Sequence, residues 1–107
     1  MANVYKNAKV DLTTTNNTTV YTCPVDSTAI IKSILVCEDS GNADTISITL
    51  TAGSDVFNLF KTKSIAANGT TELITQPIIV ASEEIIKAQA ATGNRLHIII
   101  SLLEIDF

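Results

Sequence analysis

Apolar side chains recur at every second position along most of this chain, and no long stretch spaces them at the three-to-four-residue period of a helix. Near the start, Val4, Lys6, Ala8, Val10 and Leu12 fall on one side of an extended backbone, with Tyr5, Asn7, Lys9 and Asp11 on the other. Thr45 to Thr51 alternates in the same way, with Ile46, Ile48 and Leu50 opposite Thr45, Ser47, Thr49 and Thr51, as expected of a strand with one buried and one wet face. Two segments are apolar in both registers. Thr28 to Asp39 sets Ile30, Ile34 and Val36 against Ala29, Ile31, Leu35 and Cys37, and Arg95 to Ile105 closes the chain in the same style. Such strands belong at the centre of a sheet or under cover on both faces.

Clusters of turn residues separate these segments. The run DLTTTNNTTVYTCP (Asp11 to Pro24) resembles low-complexity linker, yet strand formers flank it, and Asn16-Asn17 tolerates the positive φ of a reversal. It is therefore expected to join two strands, the second, around Val20 to Cys23, being stopped by Pro24. Asp39 to Asp44 and Ala52 to Asp55 are further turns, the latter leading into a strand at Val56 to Lys61, and Asn68-Gly69 is the strongest short hairpin dipeptide in the sequence. Pro77 opens a short edge segment, Ile78 to Val80. Ile85 to Ala90, although compatible with a helical turn, reads as a strand ended by Ala91 to Asn94. About eight short strands at roughly ten-residue intervals, with no helical crossovers, predict an all-β, antiparallel, jelly-roll-like β-sandwich. At 107 residues, positions 1–107 are expected to form one domain.

Composition excludes several functions. A net charge of −4 with a single arginine, Arg95, is not the basic footprint of a nucleic-acid binder. The apolar run from Leu96 to Leu103 is broken by His97 and Ser101 and is far shorter than a membrane span needs. The N-terminus lacks the apolar core of a secretory signal, so synthesis and folding in a cytoplasm are expected, with Cys23 and Cys37 as unlinked thiols. Two cysteines and one histidine do not close a structural zinc site. His97 has no nucleophile motif beside it and is expected at a sheet face or subunit contact. Asp39, Asp44, Asp55, Glu83 and Glu84 fall in predicted turns without a calcium-loop pattern, and the Asn-x-Thr triplets at Asn16, Asn17 and Asn68 are turn chemistry. No catalytic residue, cofactor or metal is expected.

The stretches VYTCPVDSTAIIKSILVCEDSGNADTISITL and SIAANGTTELITQPIIVASEEIIKAQA, with Tyr21, Pro24, Ile31, Lys32, Ser33 and Ile34 in marked positions, resemble small virion proteins of tailed bacteriophages. The resemblance implies a virion component without enzymatic activity, made in the cytoplasm of the bacterial host. It would be a capsid decoration (cement) protein stabilising the head shell, or else a neck, tail or fibre-attachment accessory. Its partners would be the major capsid protein or other virion proteins, with no nucleic acid and no membrane. A carbohydrate-binding module is a further reading that the five aromatic residues and the absence of tryptophan disfavour. The apolar ends of the chain point to self-association, in a trimer or other symmetric oligomer, with Val4, Tyr5, Ile105 and Phe107 as the expected contact residues.

Overall fold

In the computed structural model, which describes residues 2–106, strands form wherever the alternation runs and stop where turn residues gather. They are β1 (Ala2–Leu12), β2 (Thr18–Thr22), β3 (Ser27–Glu38), β4 (Asp44–Ala52), β5 (Asp55–Ile65), β6 (Thr70–Glu72), β7 (Ile78–Val80), β8 (Ile85–Ala90) and β9 (Leu96–Asp106). One sheet, called A below, has the order β1-β9-β3-β6, with β7 also on the β6 edge of β3, and the other, B, has the order β2-β8-β4-β5. Every pairing is antiparallel. The chain changes sheet at every connection except β4–β5 and β6–β7. With β6 and β7 counted as one interrupted strand, this is the eight-strand, two-sheet jelly roll.

The core lies between the sheets. Ala29, Ile31, Ile34 and Val36 of β3 and Leu96, Ile98, Ile100 and Leu102 of β9 face Ile46 and Ile48 of β4 and Ile86, Ala88 and Ala90 of β8, all of them buried. β-Branched residues dominate because their stiff side chains pack well on a pleated surface. The β4–β5 connection is a two-residue hairpin, with Ala52 paired to Asp55 and Gly53 at φ 63. A glycine with positive φ at the first central position is what a type II′ turn requires.

Two expectations are corrected. Strict alternation puts Ile30 on the same side as Ile34 and Val36, but a β-bulge between Ile31 and Ser33 inserts one residue and reverses the parity. Ala29, Ile31, Ile34 and Val36 therefore all point inward, while Ile30, Leu35 and Cys37 point outward. The Glu72 side chain holds the bulge by accepting hydrogen bonds from the Ser33 hydroxyl and, at 2.8 Å, from the Ile34 amide. Second, Asn68-Gly69 is not a hairpin. It carries the chain from β5 in sheet B to β6 in sheet A, with Asn68 at φ 54 and the Gly69 amide bonded to the Ala66 carbonyl at 3.0 Å. Among the described residues the strands number nine because the partner of β3 is broken between Glu72 and Ile78, where Pro77 has no amide to donate. β3 and β9 are central as expected, and among the described residues only their inner faces are covered.

The bulge makes a prediction that simple alternation does not. Ile31→Ala and Ile34→Ala should each cost about 2–5 kcal/mol of unfolding free energy, whereas Ile30→Ala and Leu35→Ala should each cost under about 1 kcal/mol. Urea denaturation of the four variants checks this, and equal losses at Ile30 and Ile34 would contradict the parity reversal.

Candidate interaction face

The outward side of sheet A is ordered in rows by the strand register. Tyr5 of β1 pairs with Leu103 of β9, Leu103 with Ile30 of β3, and Ile30 with Ile79 of β7, so one row is apolar across the whole sheet. Tyr5 is 75% and Ile79 is 55% exposed. A second row runs Lys9, Ile99, Leu35, Glu72, with an apolar centre and a charge of opposite sign at each end. Between them lies a polar row of Asn7, Ser101 and Ser33, with the exposed bulge residue Lys32 beside Asn7 and Ser101 on the same face. Beyond the apolar row, Ile105 sits between Asn3 and Thr28. Sheet B contrasts with this. Its outward residues on β4 are Thr45, Ser47, Thr49 and Thr51, and those on β8 include Lys87 and Gln89, with Val56 and Ile85 as apolar exceptions. An apolar face of this extent on a small protein marks an interaction surface, and only one of the two sheets has it.

Of the expected contact residues, Tyr5 and Ile105 lie on this face. Val4 is on the opposite side of β1, paired with Glu104, and is 47% exposed. Phe107 lies outside the described residues. Sequence reasoning missed Ile30, Leu35, Ile79, Ile99 and Leu103 as a surface. The apolar second register of β3 and β9 is the available signal, but the pattern alone is equally that of a strand covered within its own fold.

The last row of the face is Asp11, His97 and Cys37 on three adjacent strands, the residue types of a cysteine-dependent hydrolase. The geometry is different. His97 Nε2 lies 3.2 Å from Asp11 Oδ1 and 3.5 Å from Asp39 Oδ2, and no hydrogen bond joins His97 to the Cys37 thiol among the described residues. Backbone amides in the middle of a sheet are committed to the ladder, which leaves none to stabilise an oxyanion. The row is an exposed polar margin. Cys23, by contrast, is buried, its thiol donating to the Ser27 carbonyl at 3.4 Å, so the two thiols lie on opposite sides of sheet A.

Two of the turn carboxylates serve the backbone around them. Asp44 accepts from the Thr92 amide at 3.1 Å and Glu84 from the Ala81 amide at 2.7 Å. No group of residues suited to a metal ion occurs among the described residues. The most constrained carboxylate lies outside the set that the sequence singles out. Glu38, at the end of β3, is fully buried and accepts from the amides of Ser40 (2.8 Å), Gly41 (3.0 Å), Asn42 (3.1 Å) and Asn68 (2.9 Å), and from the Ser40 hydroxyl. It thereby ties the β3–β4 turn to the β5–β6 crossover. Glu104, near the far end of β9, accepts from the Tyr21 hydroxyl at 2.6 Å and pairs with Lys6 at 3.1 Å. The Tyr21 hydrogen bond, and secondarily Lys6, lowers the Glu104 carboxyl against the opposing effect of burial, while burial and the same hydrogen bond raise the Tyr21 phenol.

No protein-family model matches this sequence, and no curated protein sequence matches it. Among solved structures, the chain is similar to one in the "Acidic stable capsid structure of Helicobacter pylori bacteriophage KHP30", with a TM-score of 0.55 and 11% identity. The likeness covers 100% of this chain and 95% of that one, so the two share a fold over nearly their whole lengths.

Glu38 gives the fold a pH dependence. Burial alone would push its carboxyl up, but the hydrogen bonds from Ser40, Asn68 and Gly41 outweigh it and take the group from the ordinary value of 4.5 down to about 2. A lowered folded value stabilises the fold at pH above the ordinary value, and that stabilisation is lost as pH falls toward the folded value. The unfolding free energy should therefore drop between about pH 5 and pH 2, and Glu38→Gln should be less stable at neutral pH and show a shallower drop over that window. Urea titrations of both proteins across the window measure it, and identical slopes would show that Glu38 is not the group responsible.

Proposed function

We propose that this chain is a non-enzymatic structural protein of a bacteriophage virion, a decoration (cement) protein held on the head shell. The observation that carries this reading is the asymmetry of the sandwich. A rigid two-sheet body exposes one apolar face and one largely polar face, and the rows of the apolar one suit contact rather than chemistry. The similar chain in a phage capsid structure supports it, because the nearly complete mutual coverage makes that chain a small sandwich of much the same length. A small rigid subunit suits the task. Every copy presents the same patch, and a symmetric shell turns individually modest contacts into firm occupancy.

The same body would serve in the neck, tail or fibre attachment of a particle, and location separates these uses. A sugar-binding role is not favoured. Exposed Tyr5 lies on sheet A and exposed Phe57 on the β4–β5 hairpin of sheet B, so they form no common platform for a sugar ring.

The test is localisation. Cryo-EM and antibody labelling of purified particles from the phage that encodes this chain should place it over the head in copy numbers that follow the shell lattice. Adding the purified protein to heads that lack it should raise their disruption temperature in proportion to occupancy, as binding to the assembled state alone demands. Density confined to the neck or tail would transfer the assignment there, and absence from the particle would end the virion reading.

A further inference from the structure

We infer that the outer face of sheet A is a homodimer interface, two copies packing sheet A against sheet A about a two-fold axis that runs along the strands between β9 and β3. The starting point is a mismatch between pattern and cover. β3 and β9 carry apolar residues in both registers, the pattern of strands enclosed on both sides, yet only one side is enclosed by the described residues of the chain. Something outside the chain covers Ile30, Leu35, Ile99 and Leu103, and the distribution of residues on the face identifies it as a second copy.

A two-fold axis parallel to the strands sets β9 over the partner's β3 and β1 over the strand beyond it, while each row stays opposite itself. In the apolar row, Leu103 then meets the partner's Ile30, and Tyr5 meets the partner's Ile79. In the next row, Ile99 meets the partner's Leu35, and Lys9 meets the partner's Glu72. Ser101 falls on the partner's Ser33, polar on polar. All of these positions follow from the register of β1, β9, β3, β6 and β7. The central apolar groups cover apolar groups, Ile105 falls on the partner's Thr28, and the Lys9 and Glu72 charges meet opposite signs, while Lys32, exposed at the bulge, brings a positive charge to the polar middle row. An axis along the rows is worse, because it sets Glu72 over the partner's Ile79 and leaves a carboxylate against hydrocarbon. The preferred axis also gives the aligned packing that two twisted sheets adopt.

Three strands about 4.8 Å apart and eleven or twelve residues long, with β6 and β7 of three residues each along the edge of β3, at about 3.3 Å per residue make a face of roughly 600 Å², below the roughly 800 Å² per partner of a standard interface and of the size of a weak, reversible one. The inference does not rest on the virion assignment, since it concerns the purified chain in solution.

Light scattering on the purified protein at about 100 μM, above the micromolar Kd that a face of this size readily supports, should give twice the chain mass. Ile99→Lys should shift it to the monomer while the far-ultraviolet dichroism and melting temperature stay near wild type, because Ile99 points away from the core. Lys9→Glu, which sets two carboxylates opposite each other at both symmetry-related positions, should weaken association by up to about thirtyfold, the worth of two exposed pairs. Cys37 of the two copies would lie on facing sheets about 10 Å apart, so a short bismaleimide should join wild-type chains and leave Cys37→Ser unjoined. A monomer at all concentrations overturns the inference, as does a trimer or an oligomer indifferent to Ile99→Lys. If wild type is monomeric but Ile99→Lys loses its place on the particle, the face belongs to the shell, and the dimer is wrong while the virion reading stands. A dimer that is absent from particles upholds the interface and ends the virion reading.

Discussion

β9 is hydrogen-bonded along both of its edges, to β1 and to β3, and the rest of the structure depends on that double pairing. Its inward side chains, Leu96, Ile98, Ile100 and Leu102, form the middle of the core, and its outward ones, Ile99, Leu103 and Ile105, form the spine of the apolar face. One strand thus fixes both the interior and the surface that meets a partner. Because β9 comes last in the chain and pairs with the first strand, sheet A closes only when the most distant segments have met. Such non-local topology is slow to fold, since loop-closure entropy must be overcome before the contacts form.

The core is bracketed by carboxylates. Glu38 plugs one end of the sandwich beside Leu96, and Glu104 lies toward the other, across from Ala29. A carboxylate withdrawn from water is costly unless its lone pairs are satisfied, and those of buried Glu38 and part-buried Glu104 are. They do different things. Glu38 gathers amides from two turns that would otherwise be free to separate, whereas Glu104 joins Tyr21 of sheet B to Lys6 and β9 of sheet A. A jelly roll has few hairpins to hold its sheets in register, so side chains that span the gap between them carry part of that duty.

Strand positions were legible in the sequence where the pairing is regular. β1 pairs with β9 at every residue from Ala2 to Leu12 without a bulge, and its two faces are those the alternation of Val4 to Leu12 implies. β4 is equally plain against β8, its irregularities lying on the β5 side. What alternation does not encode is an inserted residue, because the bulge at Lys32 and Ser33 looks locally like two more residues of the same strand. Partner choice was also hidden. Asn68-Gly69 specifies a reversal by its φ preference, but which sheet receives the chain afterwards is decided by distant contacts, among them the Asn68 amide on Glu38. The apolar face was visible only as surplus hydrophobicity in β3 and β9, and assigning that surplus to the outside required knowing that no layer among the described residues lies over it.

The pairing of Ala2 with Asp106 brings the two ends of the described chain together at one corner. A pull applied between those ends loads the β1–β9 ladder one rung at a time, from Ala2–Asp106 inward, and peels β1 away at low force. A push normal to sheet A is instead shared by β1, β9 and β3 at once and is passed through the isoleucine core to sheet B. Mechanically the molecule is a weak zipper along its ends and a stiff pad across its sheets, so it resists load best when held flat by its face.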